Sequence, residues 1–426
     1  MNRVILHSDM NHFYVSVELL HNPHLRGKPV AVGGDPEARH GIVLAKDPLA
    51  KKAGVQTGMA LWQARQVCPD IIFLPPRMDL YLRFSRMARE IYGEYTDLQE
   101  SFGADECWLD VTDSGCMGDG FQIAQKISDR IKKELGVTVS IGVSWNKIFA
   151  KLGSDYKKPD AITVINKENY KSIVWPLPVE DLLYVGRSTQ KKLYNWGIFT
   201  IGDLARTDPE LLQRLLGKMG LILSVFANGE DQTPVSAEDY HAPIKSIGNS
   251  TTTPRDLVTV EDVKIVLYTL AESVSSRLRD HNFKCQVVEI SVRDNELECF
   301  TRQRKIQLPT DVSEEIARTA LELFVENYDW KKPIRSIGVR GSNLVDAICP
   351  VQLNLFVDEV KREKLRRMDV AVDVIRGRFG HSSIQRGVMY QDRILSALNA
   401  KEDHTVHPHG YFEKGNQVGI QERKLG

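Results

Sequence analysis

Several things are scarce in this sequence of 426 residues, and each scarcity excludes a class of protein. The six cysteines, Cys68, Cys107, Cys116, Cys285, Cys299 and Cys349, form no C-x-x-C pair and no metal-ligand spacing. That argues against a disulfide scaffold or a zinc module and predicts reduced thiols in a cytoplasmic protein. No apolar run approaches the roughly 18–20 residues of a membrane span, and the N-terminus lacks a basic region followed by an apolar stretch and a cleavage site. No membrane partner is expected. Excess charge of either sign is missing too: 56 basic residues face 56 acidic ones. Neutralisation of phosphates by Lys and Arg drives non-specific nucleic-acid affinity, so any contact with DNA must come from local patches and be weak.

What is present starts at Val4. Residues 4–18, VILHSDMNHFYVSVE, run from an apolar strand opener to Asp9 and then to adjacent rings, Phe13 and Tyr14. Taken alone, this is a strand capped by a turn with its rings in a core. Residues 101–111, SFGADECWLDV, set Asp105 beside Glu106 before an apolar strand resumes at Trp108, Leu109 and Val111. Neighbouring side chains on a strand point to opposite faces, so an acidic pair that serves one ion belongs at a strand end. With Asp9 this gives three hard oxygen donors, which suit Mg²⁺ because that ion keeps waters and shares its shell with substrate phosphates. Two such ions suit phosphoryl transfer. On these residues alone a solvated acidic turn explains the pair as well. A third stretch, SWNKIFAKLGSDYKKPDA at 144–161, reads as a helix that buries Ile148, Phe149 and Leu152 and displays Lys147, Lys151, Lys157 and Lys158.

Together, and in this order, the stretches resemble the motifs of the Y-family translesion DNA polymerases. Asp9 to Glu18 is similar to their D-x-D-x-F-[FY]-x-x-V-E, and residues 144–159 to their S-x-N-K-x-x-A-K-x-x-S-D-x-x-K-P. The resemblance implies an α+β multidomain, right-hand polymerase. Its palm would be 1–19 and 78–167, its fingers 20–77, and its helical thumb with a helix-hairpin-helix 168–232. A linker at 233–240, an α+β little finger at 241–346 and a C-terminal extension at 347–426 would follow. The implied activity is error-prone translesion synthesis: nucleotidyl transfer from a dNTP to a primer 3′-OH on primer-template DNA, by a monomer with two Mg²⁺ ions. By the same resemblance Asp9 and Asp105 would bridge both metals, Glu106 would hold the catalytic one, and the Met10 carbonyl would complete the nucleotide-bound one. Tyr14 would be the steric gate against a ribose 2′-hydroxyl, with Phe13 beneath the sugar and Lys158 on the triphosphate. Where much of the family has Tyr-x-x-Arg, this chain has Pro48 and Lys51. Lys51 would meet the triphosphate as a point charge without Arg's bidentate fork.

Residues 183–198 read as the helix-hairpin-helix, with Gly186 opening backbone N–H groups to a phosphate and Ser188 capping the second helix. In FTRQRKIQL, residues 300–308, Phe300, Ile306 and Leu308 face inward. Thr301, Gln303, Lys305 and Gln307 face outward to track phosphates, and Ser336 and Arg340 extend that surface. Residues 352–356, QLNLF, resemble the pentapeptide with which bacterial polymerases dock into the sliding clamp. Gln352 would sit at the edge of the pocket, Leu355 and Phe356 within it, and Leu353 beside them. A tether of this kind offsets a loose grip on DNA by raising the effective concentration. Two other readings are a palm-fold nucleotide cyclase and a non-catalytic DNA-repair accessory protein. The cyclase has no need of a helix-hairpin-helix or a trailing α+β unit. The accessory has no physical reason to keep like charges clustered at Asp9, Asp105 and Glu106.

Overall fold

The computed structural model describes residues 3–34, 41–238, 240, 243–348 and 358–397. They fall into two compact units, the first from the N-terminal 33 residues with 43–242, the second mainly from residue 243 onward.

The first unit holds strands β1 (Ile5–Met10), β2 (Val30–Gly33), β3 (Val43–Lys46), β4 (Ile72–Leu74), β5 (Gln99–Ser101), β6 (Glu106–Asp110), β7 (Val139–Ser144) and β8 (Ile162–Val164). Its main sheet has the order β5-β6-β1-β7-β8, with β1 fully buried between antiparallel β6 and β7. Alternation along β1 divides its side chains. Leu6 and Met10 join a core with Ile123 and Ile127 of helix Gly120–Arg130 and Tyr81 and Ala88 of helix Met78–Gly93. Ile5 joins the opposite core with Ile148, Phe149 and Leu152 of helix Lys147–Tyr156.

That lysine-bearing helix starts at Asn146, whose side chain accepts from Phe149 N at 2.8 Å. It lies very close to the sheet. A Cβ on Gly142 would stand 1.8 Å from the Ala150 carbonyl oxygen, and one on Gly153 would stand 3.0 Å from Gly142 Cα. Only glycine at 142 permits this approach. The helices Arg187–Tyr194, Ile201–Arg206, Pro209–Leu216 and Lys218–Ala227 share the same core through Leu193, Leu204, Leu212 and Phe226.

The polar stretch expected to be a linker runs along this unit as far as Glu238. Val235 is buried, Arg3 donates to Thr233 O at 2.9 Å, Ser236 N donates to Glu100 at 2.9 Å, and Glu238 N to Asp97 O at 3.2 Å. Glu100 also takes the ammonium of Lys147 at 2.7 Å, both side chains being buried. Lys147, expected on the charged face of its helix, is thus an interior ion pair. A small sheet, β3-β2-β4, carries its own core of Ala31, Val43, Ala50, Leu61 and Ile71.

The second unit is an antiparallel sheet of β9 (Ser246–Leu257), β10 (Phe283–Asp294), β11 (Cys299–Thr310) and β12 (Ile334–Asp346) in the order β11-β10-β12-β9. Helices Val260–Asp280 and Ser313–Asn327 cover one face. The segment read as a C-terminal extension adds a third layer. Helix Glu359–Phe379 packs on both of these helices, and residues 381–396 return across Val260–Asp280, burying Met389 and Leu395 in the core.

Candidate active site

The register of β1 on β6 sets Asp9 opposite Glu106 and His7 opposite Trp108. β6 begins at Glu106, so Asp105 stands just before the strand, where its carbonyl accepts from Met10 N at 3.0 Å. The strand-end placement expected of the acidic pair is what the structure shows. Met10 ends β1 and is buried, its Cα opposite Val139 of β7.

Helix Lys147–Tyr156 and the turn after it supply cations to these acids. Lys151 Nζ lies 2.5 Å from Glu106 Oε2, and Lys158 Nζ lies 2.5 Å from Asp9 Oδ2 and 2.7 Å from Asp155. Burial raises the pKa of Asp9 to about 7, against Lys158 and with the help of Glu106 and Asp105. Burial and then Glu106 raise Asp105 to about 6. Burial also works against the charge on Glu106, yet its pKa is lowered by His7 and Lys151. Lys151 is the firmer partner. Ser154 donates its hydroxyl hydrogen to Lys151 O at 2.7 Å and so accepts from His7 Nδ1 at 2.8 Å. The buried His7 Nε2 stands 3.4 Å from Glu106 Oε2 and makes no hydrogen bond among the described residues. Burial first and Lys151 second lower the pKa of His7 to about 4, so the ring is neutral. Among the described residues no three His, Cys, Asp or Glu side chains stand ready around one ion, the lysines lying between the acids instead.

Phe13 and Tyr14 open helix Phe13–His21. Phe13 is buried, while Tyr14 is half-buried and stacks on Tyr81, centroids 4.3 Å apart and planes 11° from parallel. Tyr81 is fixed from behind: its hydroxyl donates to Glu18 at 2.7 Å, and Arg77 grips the same carboxylate at 2.5 and 2.9 Å. Glu18 therefore has a structural role in its motif. Asn11 does as well, accepting from Ser140 and donating to Thr138.

Pro48 is the first residue of helix Pro48–Lys52, after Asp47, which accepts from Ala50 N and Val30 N at 2.8 and 3.1 Å. Its fixed φ suits that position. Lys51 is exposed. Burial lowers the pKa of His12 first, and Lys51, Lys46 and Lys158 all add to the effect, so these cations share one neighbourhood. Lys46, bonded to Thr57 Oγ1 at 2.9 Å, was not singled out from the sequence. Its signal there is the unusual Lys-Asp-Pro preceding Lys51.

The helix-hairpin-helix differs in detail from its expectation. Gly186 is the N-cap of helix Arg187–Tyr194, with φ −80° and ψ 175°. Ser188 lies inside the first turn and does not cap it. The left-handed residue of the hairpin is Tyr184, at φ 72°. In the second unit, register brings Gln303, Glu289, Arg340 and Gly248 into one row, Thr301, Ser291, Gly338 and Ser250 into the next, and Cys299, Arg293, Ser336 and Thr252 into a third. Lys305 lies on the same face, opposite Val287. The face is mostly small and polar, with Lys305, Arg293 and Arg340 as its cations, the last paired with Glu289 at 3.4 Å. Residues 352–356 lie outside the described residues.

The sequence profile of the impB/mucB/samB family matches residues 8–155, and that of the family's C-terminal domain matches residues 244–355. A DNA polymerase IV from Acetivibrio thermocellus is 54% identical over 399 residues, 93% of this chain and 100% of that protein. DNA polymerase IV 1 of Bacillus subtilis is 39% identical over 389 residues, 91% and 93% of the two chains. Among solved structures, a chimeric Y-family DNA polymerase shares the fold with a TM-score of 0.70, covering 80% of this chain and 99% of that one at 24% identity.

Proposed function

The chain belongs to the impB/mucB/samB family, the Y-family DNA polymerases, and from that premise we infer that Asp9, Asp105 and Glu106 hold two Mg²⁺ ions for nucleotidyl transfer. It is a DNA-directed DNA polymerase of the translesion class, acting on primer-template DNA and dNTP with divalent metal. Relatives that are DNA polymerases along nearly the whole chain displace the cyclase and accessory readings.

One observation carries the metal assignment. Three carboxylates meet at adjoining strand ends, crowded and buried enough that Asp9 and Asp105 hold protons far above the usual carboxylate range. Hard oxygen donors short of positive charge fit a divalent ion such as Mg²⁺. When bound, the metal pair supplies charge neutralisation at the attacking and leaving oxygens. Asp9 and Asp105 would bridge the ions, Glu106 would hold the catalytic one, and the Met10 carbonyl would serve the nucleotide-bound one. Lys158, with Lys51 and Lys46, would face the triphosphate as point charges. Tyr14, braced by Tyr81, would exclude a 2′-hydroxyl, with Phe13 beneath the sugar. Gly186 and the sheet face around Lys305, Ser336 and Arg340 would follow the DNA backbone, with small residues admitting it closely. Gln352, Leu353, Leu355 and Phe356 would tether a monomer to the sliding clamp. No helix among the described residues is long and apolar enough to cross a membrane, and we assign the enzyme to the cytoplasm.

A primer-extension assay with Mg²⁺ tests this. Glu106→Gln should lower extension by at least about 10³-fold, because its charge acts on the transition state, and leave DNA affinity unchanged. Tyr14→Ala should raise ribonucleotide use at least about tenfold, the factor worth about 1.4 kcal/mol. Near-native extension by Glu106→Gln would reject the two-metal assignment. With the clamp added, Leu355→Ala/Phe356→Ala should lose only the stimulated component, and persistence of that component would remove the tether.

A further inference from the structure

We propose that Lys151 is a positioning residue, the internal counter-ion of Glu106, which holds that carboxylate in place before metal binds and competes with metal for its oxygen. This rests on the metal site proposed above.

The geometry supports a dedicated role. Lys151 Nζ stands 2.5 Å from Glu106 Oε2, and both side chains are largely buried, 16% and 21% exposed. Its ammonium lies 5.3 Å from the Phe102 ring centroid on another side. Among the described residues Glu106 is the carboxylate that Lys151 meets. Lys158 differs, because it spans Asp9 and Asp155 and keeps a partner when Asp9 is taken. His7 cannot replace Lys151 at Glu106. Its buried Nε2, 3.4 Å from the same Glu106 oxygen, makes no hydrogen bond to it, and its Nδ1 lies 2.8 Å from Ser154. Without the ammonium, Glu106 would face the charges of Asp9 and Asp105 with no cation beside it among the described residues. The close seat of the helix on Gly142 sets where Lys151 starts, and β6 sets where Glu106 starts. The pair is therefore built into the fold of the first unit. Metal and ammonium seek the same oxygen, so the resting pair lowers metal affinity as it steadies the empty site.

The experiment is equilibrium binding of Mn²⁺ to the full chain, followed by the loss of the free-ion electron paramagnetic resonance signal, with thermal unfolding in EDTA and in saturating Mn²⁺. Lys151→Met should bind Mn²⁺ about tenfold tighter, since one unit charge a few ångströms from the ion is removed. It should also melt lower than the native protein in EDTA and no lower in saturating Mn²⁺. Lys151→Arg, which keeps the charge, should restore native affinity. Should Lys151→Met fail to fold, Lys151→Gln is read instead against the same expectations. Native or weaker Mn²⁺ affinity in the folded neutral variant would overturn the proposal, as would an equal melting deficit with and without metal. Glu106→Gln serves as the control. If it leaves Mn²⁺ affinity unchanged, the metal reading of Glu106 fails and takes this proposal with it. If it weakens binding while Lys151→Met has no effect, the metal reading stands and the counter-ion role alone falls.

Discussion

Around Asp9, three carboxylates in the first unit meet two lysines. Beneath helix Glu359–Phe379, in the second unit, Arg279, Arg376 and Arg386 meet Glu272, Glu314, Asp369 and Asp373. Each cluster holds one more acid than cation and both are substantially buried, yet they are completed differently. In the second unit Arg386 alone reaches Glu272 at 2.7 Å, Asp369 at 2.8 Å and Glu314 at 3.3 Å, while Asp369 also accepts from Ser313 N at 2.8 Å. A guanidinium offers five donors in a rigid plane, so such a network has one preferred arrangement. In the first unit the cations are ammonium groups on flexible stems, and among the described residues Asp105 has none in contact. Every acid of the second cluster touches an arginine, whereas Asp105 of the first touches no lysine among the described residues.

The largest expected effect tests the matched side. Arg386→Met takes one cation from three acids, two of them buried, leaving Arg376 on Glu272 and Arg279 on Asp369. It should destabilise the second unit by about 3 kcal/mol, the low end of the cost of breaking a buried ion pair. Chemical denaturation measures it, and a loss below about 1 kcal/mol would put this network on a par with surface pairs. Removing an acid from the other cluster should act in the opposite direction. Asp105→Asn should stabilise the metal-free protein by about 1–2 kcal/mol, a conservative conversion of a pKa raised to about 6, while removing activity. A lower melting temperature in EDTA would break the comparison.

The smallest effect is a difference in pH slope. Burial raises Asp9 and Asp105 from the ordinary 3.8 to about 7 and about 6. The metal-free native state therefore binds more protons than the unfolded chain between about pH 4 and 7, and its stability falls as pH rises through that window. Burial raises Asp369 within the arginine cluster too, whereas Asp262 and Asp392, on the separate Arg255, are lowered, first by its hydrogen bonds. Their contribution is present above the unfolded carboxylate pKa and is lost as pH falls through the depressed values. Melting curves in EDTA from pH 3 to 8 should show both limbs, and Mg²⁺ should remove only the neutral one.

The placement of the candidate site residues was more legible in the sequence than the way the second unit is completed. Asp9, Asp105, Glu106 and Tyr14 are named by local motifs, and the sheet register brings the acids together because they end adjoining strands. The layer formed by 358–397 was hidden. The inward face of helix Glu359–Phe379 is marked by Arg362, Arg366, Asp369, Asp373 and Arg376, each paired with another element or with the returning chain. Apolar periodicity does not register a helix docked by charge. The strapped stretch 231–238 escaped for a related reason, since its polar residues are held by backbone hydrogen bonds that composition does not reveal. Ser188 misled because a serine near a glycine is read as a cap one turn too readily, and here Gly186 itself takes that position.

The contact of Gly142 with the Ala150 carbonyl works as a gauge. Strand and helix are spaced by the absence of a methyl group, and the reach of Lys151 toward Glu106 is measured from that spacing. An added methyl would wedge the helix outward at its middle while β1 and β6, held by their own ladder, stayed where they are. Both charge partners would survive unaltered, and only the distance between them would be out of tolerance. A catalytic centre can thus be detuned from behind, by a carbon atom that no substrate ever touches.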